Sequence, residues 1–240
     1  MKKHKKLWIV VTVLFCLFCS GYAYVNTYYK GNTVAYDALV SDAQITVEKQ
    51  NDWIAFVPKQ YDTGIILYPG AKVESEAYAP LCKKYAEAGV LTIVVKMPLH
   101  LAFFDQNAAD KVMDAYTCKH WYIAGHSLGG VCAGNYFKEH QDTLDGLFLL
   151  ASYTTADFSN TDAKMVYVEA SNDQVLNQKS YEKNMKNASD EAYAIIINGG
   201  NHAQFGSYGK QSGDGEPTIS AQEQWDICVQ KTLDLMSEEK

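Results

Sequence analysis

Gly125-His126-Ser127-Leu128-Gly129 is the stretch that decides how this chain is read. Before it, Trp121-Tyr122-Ile123-Ala124 is a short apolar run, expected as a buried strand. After it, Leu128 to His140 is expected as a helix. A serine between the two rides on a sharp strand-to-helix turn that pushes it out of the sheet edge. The flanking glycines let the backbone turn without a Cβ clash. The same turn aims backbone N–H groups of the new helix at whatever lies beside the serine oxygen. The pattern also occurs by chance, so its weight depends on what surrounds it.

Working outward, short apolar runs alternate with helical patterns. Ala43 to Lys49 and Trp53 to Val57, joined by Asn51-Asp52, predict a hairpin. Gly64 to Tyr68 and Val90 to Val95 are continuous apolar runs, expected of strands buried on both faces. Between them a helix starts near Pro80 and ends at Gly89. Asp105 to Tyr116 is expected as helix. Beyond the serine helix come strands at Gly146–Leu150, Lys164–Glu169 and Ala192–Asn198, with a weak helix over Leu176–Ala188. Ser220 and Glu223 form a capping box ahead of a helix with Trp225, Cys228, Val229, Leu233 and Met236 on one face. This alternation predicts an α/β fold: a mostly parallel, eight-stranded sheet with helices on both faces. Only about 14 residues separate the strand ending at Leu150 from the next, which leaves no room for a lid domain.

The chain has 240 residues and a net charge of −7, and all 21 of its basic residues are lysines. Without arginine there is no bidentate guanidinium grip, and Lys2, Lys3, Lys5 and Lys6 sit in the first six residues, so the rest is more acidic still. This excludes nucleic acid as a partner. No metal-ligand spacing and no nucleotide-binding motif is present, so neither metal nor cofactor is expected. Leu7 to Val25 carries no charge and follows the lysine cluster. That reads as a membrane anchor over residues 1–25, single-pass with the following domain outside the cell. The alternative is a signal segment cleaved near Gly21-Tyr22-Ala23, leaving a secreted protein. Residues 26–42 read as a tether or a first irregular segment, and 43–240 as the domain. If the domain is exported, Cys82 and Cys228 are the cysteine pair to test for a disulfide.

Counting strands places the chemistry. Ser127 follows the fifth strand, Asp173 the seventh and His202 the eighth, and open α/β sheets bind and react at the carboxyl ends of their strands. The order Ser, acid, His is that of the α/β-hydrolase superfamily. The chain resembles that superfamily from about Ala43 to Met236. Within it, Tyr68-Pro69-Gly70-Ala71-Lys72-Val73, Gly125 to Gly130 and Gly200-Asn201-His202-Ala203-Gln204-Phe205-Gly206 resemble a bacterial exported or membrane-anchored branch. Epoxide hydrolases and dehalogenases of this fold need a carboxylate nucleophile, which Ser127 is not.

The expected roles follow from the chemistry. A serine hydroxyl is a poor nucleophile at neutral pH and needs a base, here His202. Asp173 is expected to accept from its other nitrogen, with Asp157 and Asp162, after the sixth strand, as rivals. The oxyanion needs two N–H donors, expected from Leu128 and Ala71. Relatives tend to carry glycine at the position of Ala71. Leu99, His100, Tyr153, Phe205 and Tyr208 are expected around the substrate. The reading is a serine hydrolase that cleaves a small-molecule carboxylic ester through an acyl-enzyme. The alternatives are a peptidase or transacylase on cell-envelope substrates, or a non-catalytic cell-surface binding module. Asp173→Asn is expected to lower turnover by orders of magnitude and Asp157→Asn to leave it nearly intact. Steady-state kinetics of the two variants decide between the acids.

Overall fold

In a computed structural model, which describes residues 2–237, the chain builds one eight-stranded sheet in the order β1-β2-β4-β3-β5-β6-β7-β8. Met1 and residues 238–240 lie outside the described residues. The strands are β1 (Ile45–Lys49), β2 (Trp53–Pro58), β3 (Thr63–Tyr68), β4 (Leu91–Val95), β5 (His120–His126), β6 (Gly146–Leu150), β7 (Lys164–Ala170) and β8 (Tyr193–Ile197). The helices are α1 (Lys2–Asn26), α2 (Thr33–Asp37), α3 (Ala79–Glu87), α4 (Ala108–Ala115), α5 (Leu128–Glu139), α6 (Gln178–Asn184) and α7 (Ala221–Ser237). β1 and β2 form the antiparallel hairpin, and β2 also runs antiparallel to β4. Every other pairing is parallel.

The parity of each apolar strand divides the core. In β5, Tyr122 and Ala124 face one cluster, with Leu81, Cys82 and Tyr85 of α3 and Trp225, Cys228 and Val229 of α7. Trp121 and Ile123 face the other, with Val112 of α4, Cys132, Ala133, Tyr136 and Phe137 of α5, and Tyr181 of α6. A run apolar at every position is what a strand covered on both faces requires. The chain leaves β3 outward to β4 and returns past it to β5, with Tyr68 in register with Gly125. That reversal opens a crevice at the carboxyl ends of β3 and β5.

Two helices differ from expectation. The stretch 105–116 is α-helical only over Ala108–Ala115. The one expected over Leu176–Ala188 starts at Gln178, where Asn177 caps it by accepting from Ser180 N at 2.9 Å, and gives way to a 3-10 turn at Met185–Asn187. Leu176 is drawn out of the helix because its amide, like that of Val175, donates to Asp173. The segment 151–163 between β6 and β7 is turn and coil without a lid.

The N-terminal expectations change. Among the described residues no helix is long and apolar enough to cross a membrane. This overturns the single-pass anchor over residues 1–25, the membrane partner it implied and the cell-membrane location. Residues 26–42 pack on the domain. Tyr29 N donates to Lys72 O at 2.7 Å, Glu74 N donates to Tyr29 O at 2.9 Å, and Ala35 and Leu39 are buried. The Tyr36 hydroxyl donates to Glu74 Oε2 at 2.7 Å, which pushes its pKa up to about 12.

Ile66 lies at the centre of the sheet, fully buried between Ile93 and Ile123. Ile66→Ala is expected to cost about 2–5 kcal/mol by leaving a cavity there, read as a lowered urea midpoint at unchanged slope.

Candidate active site

Ser127 is the single residue between the end of β5 and the start of α5, at φ 52° and ψ −123°. Its N–H donates to Leu150 O at 3.0 Å, and its carbonyl accepts from Ser152 Oγ at 2.6 Å and Gly130 N at 3.0 Å. These bonds hold a conformation that a side-chain-bearing residue rarely adopts. The helix behind it presses on the end of β3: a Cβ on Gly129 would overlap the carbonyl oxygens of Tyr68 and Pro69. Among the described residues the non-glycine positions with positive φ are Lys72, Leu99, His100, Ser127 and Ala151. All lie beyond the carboxyl ends of β3, β4, β5 and β6, so the strain is gathered at one edge of the sheet.

His202 and Asp173 meet at this edge. His202 Nδ1 donates to Asp173 Oδ2 at 2.8 Å, with the two side chains 1% and 4% exposed. The other carboxylate oxygen accepts from Val175 N and Leu176 N, both at 2.8 Å. The histidine loop is clamped from behind. Gln224 of α7 accepts from Asn201 N at 3.0 Å and donates to Asn201 O at 2.9 Å. Asp214 accepts from Ala203 N at 2.8 Å, and Asn201 Nδ2 donates to Gly215 O at 2.7 Å. The glycine-rich segment 206–217 therefore braces the histidine loop, a role without a motif in the sequence.

The other acids and histidines lie elsewhere. Asp157 is exposed and accepts from Ser159 N and Oγ at 3.0 and 2.7 Å, which lowers its pKa. His100 stacks on Tyr28 with ring centres 3.9 Å apart, and partial burial lowers its pKa. His126 is buried, with its ring centre 4.5 Å from that of His202, so the residue preceding Ser127 touches the candidate base.

The loop after β3 offers few free donors. Gly70 N donates to the Tyr78 hydroxyl at 2.8 Å, Lys72 N to His100 O at 2.8 Å, and Val73 N to Gly70 O at 3.3 Å. Among the described residues the amides of Ala71 and Leu128 have no intramolecular acceptor. A cavity of about 220 Å³ opens beside Ser127, bounded by Val131 on the helix, Tyr153 after β6, and Val175, Leu176 and Asn177 after β7.

The model of the "Alpha/beta hydrolase family" matches residues 64–226. The chain belongs to that family. No significant relative is found among curated protein sequences. Solved structures with the same fold include carboxylesterase CesB (YbfK) from Bacillus subtilis, 10% identical, covering 92% of this chain and 99% of that one at a TM-score of 0.62. Est1E from Butyrivibrio proteoclasticus is 14% identical over 82% of this chain and 100% of its own, with a TM-score of 0.55. A predicted CIB-like hydrolase from Thermoplasma acidophilum is 16% identical over 80% of this chain and 98% of its own, with a TM-score of 0.57.

In this alpha/beta hydrolase the residues expected around the substrate divide. Tyr153 lines the cavity beside Ser127. Leu99 is exposed after β4, and His100 is engaged by Tyr28. Phe205 is fully buried, with its ring centre 5.6 Å from that of His126. Tyr208 is buried against Tyr29, and its hydroxyl donates to Gln211 Oε1 at 2.9 Å. Phe205 and Tyr208 thus pack behind the histidine, because their loop turns its aromatic side inward. Val131, Val175 and Leu176 were missed as wall residues; the adjacency of the last two to Asp173 was the available signal.

Burial first, and His202 second, hold the His126 pKa well below the usual histidine value. The unfolded chain takes up a proton at His126 as pH falls through about 6.5, while the folded chain does not, so folding stability drops on the acid side. His126→Asn is expected to flatten this loss by up to about 1.4 kcal/mol per pH unit, measured by urea unfolding at pH 7, 6 and 5.

Proposed function

We propose that the chain is a serine hydrolase that cleaves carboxylic esters through an acyl-enzyme. The observation that carries this reading is the buried His202–Asp173 pair, held at 2.8 Å at the strand edge where Ser127 sits on a strained turn. With its Nδ1–H directed at Asp173, neutral His202 keeps an unprotonated Nε2, the form a general base requires. In this reading Ser127 Oγ attacks the ester carbonyl carbon and its proton passes to His202 Nε2. The negative oxygen of the tetrahedral intermediate accepts from the free amides of Ala71 and Leu128, each contributing about 3–4 kcal/mol of barrier lowering. Collapse breaks the bond to the alcohol, which leaves with the proton from His202. Water then repeats the sequence against the acyl-enzyme, with His202 again as base, and the acid departs. Asp173 stays ionised and stabilises the imidazolium of each step.

The cavity beside Ser127 supports a small substrate. Val131, Tyr153, Val175 and Leu176 offer an apolar wall to an acyl or alkyl group. The catalytic unit in this reading spans residues 43–240.

A fluorophosphonate probe is expected to label the wild-type chain and not Ser127→Ala, and wild type is expected to hydrolyse p-nitrophenyl esters of short acids. Equal labelling of Ser127→Ala overturns the reading.

A further inference from the structure

A buried tyrosine and a buried histidine outside the acid–base pair join the three parts of the site. Tyr78 lies in the turn leading into α3, and its hydroxyl accepts from Gly70 N at 2.8 Å. The same hydroxyl lies 2.7 Å from His126 Nδ1. The Tyr78 and His126 side chains are completely enclosed, and beyond Tyr78 the His126 ring meets the backbone of His202, a contact that favours a proton on the ring. The loop backbone lies directly on this pair: a Cβ at Gly70 would come within 2.8 Å of His126 Nδ1 and 3.0 Å of the Tyr78 hydroxyl.

Hydrogen-bond counting fixes the protons. If Tyr78 donates to Nδ1, its hydroxyl is satisfied as donor and acceptor, and the Nε2–H of His126 is left for the backbone of His202. If Nδ1 donated instead, both the tyrosine proton and the bare Nε2 would be orphaned in the interior, at about 1–3 kcal/mol each. The first arrangement wins. It makes His126 a neutral imidazole of one tautomer, lying against His202 with ring planes 49° apart. A histidine enclosed where an aliphatic side chain would pack with no polar group to satisfy calls for a reason.

Its position supplies one. Gly70 adjoins Ala71, one proposed oxyanion donor. His126 adjoins Ser127, the proposed nucleophile. His202, against the His126 ring, is the proposed base. These groups arrive from β3, β5 and β8, and a misplacement of about 1 Å among such groups is worth about 10²-fold in rate. We propose that Tyr78 and His126 are positioning residues that lock the oxyanion loop to the nucleophile turn and the histidine loop. This rests on the serine-hydrolase reading of the site. The titratable groups against the His126 ring are Tyr78 and His202.

The test uses the full chain with Tyr78→Phe, His126→Gln and the double variant, beside Ser127→Ala. With p-nitrophenyl butyrate, Tyr78→Phe is expected to lower kcat by about 10- to 100-fold, short of the ~10²–10³ lost with an oxyanion donor outright. KM is expected to stay within about twofold, and the double variant to fall little below the weaker single one, because the two side chains act as one unit. Ring ¹⁵N chemical shifts are expected to show His126 as the Nε2–H tautomer, unchanged from pH 5 to 9, and to lose that signature in Tyr78→Phe. A folded Tyr78→Phe with wild-type kcat overturns the proposal, as does a wild-type His126 that titrates or carries its proton on Nδ1. If Tyr78→Phe does not fold, His126→Gln is judged by the same kinetics. Activity retained in Ser127→Ala would instead sink the catalytic reading, and the ¹⁵N signature would still decide whether Tyr78 fixes His126.

Discussion

The backbone of Ser127 is held where a side-chain-bearing residue costs of order 1–3 kcal/mol, and the surrounding structure is what makes that conformation the stable one. β5 is paired on both sides to its last residues, with Gly125 opposite Tyr68 and His126 opposite Leu150. The chain cannot relax along the sheet without breaking those ladders. It cannot relax away from the sheet either, because α5 is seated at Gly129 on the carbonyls that end β3. The turn is thus strained between two rigid elements, and its serine is displayed at the sheet edge.

The same edge gathers the other strained backbones, and each serves a neighbour. Lys72, Leu99 and His100 belong to two loops joined by the bond from Lys72 N to His100 O. That bond occupies one amide of the loop after β3, and Tyr78 occupies another, so among the described residues Ala71 keeps an amide without an intramolecular acceptor. The N-terminal segment adds to this support through Tyr29, bonded to Lys72 and Glu74, and through Tyr28, stacked on His100. Across the crevice, Asp214, Gly215 and Gln224 hold the histidine loop from behind, while Asp173 bonds the His202 ring and His126 lies against it. Strain at the front of the site is balanced by ordinary hydrogen bonds behind it.

The sheet, its two covered faces and the places of Ser127, Asp173 and His202 at strand ends were legible because they depend on local rules. A run apolar at every position names a doubly covered strand, a capping box names a helix start, and glycines around a serine name a tight turn. The last of these was ambiguous until the strands were counted. The local rules failed where one local preference overrode another or where packing decided. Leu176 reads as the start of a helix, but the side chain of Asp173 takes its amide, and the helix begins only after Asn177. Phe205 and Tyr208 read as pocket aromatics, but the direction in which their loop turns buries them. The apolar N-terminal stretch read as a membrane span, but no described helix is long and apolar enough to be one.

By itself, then, the sequence determined the order of strands and helices, the parity that divides the core, and the strand ends at which reactive side chains stand. The tertiary structure decided what those side chains meet. The bond between His202 and Asp173, the contact between His126 and His202, and the link from Gly70 through Tyr78 to His126 each close only when separate strands are brought into register. Periodicity and turn chemistry act over a few residues and are written along the chain. A hydrogen bond between distant residues depends on positions fixed to within tenths of an ångström by the packing of the whole sheet.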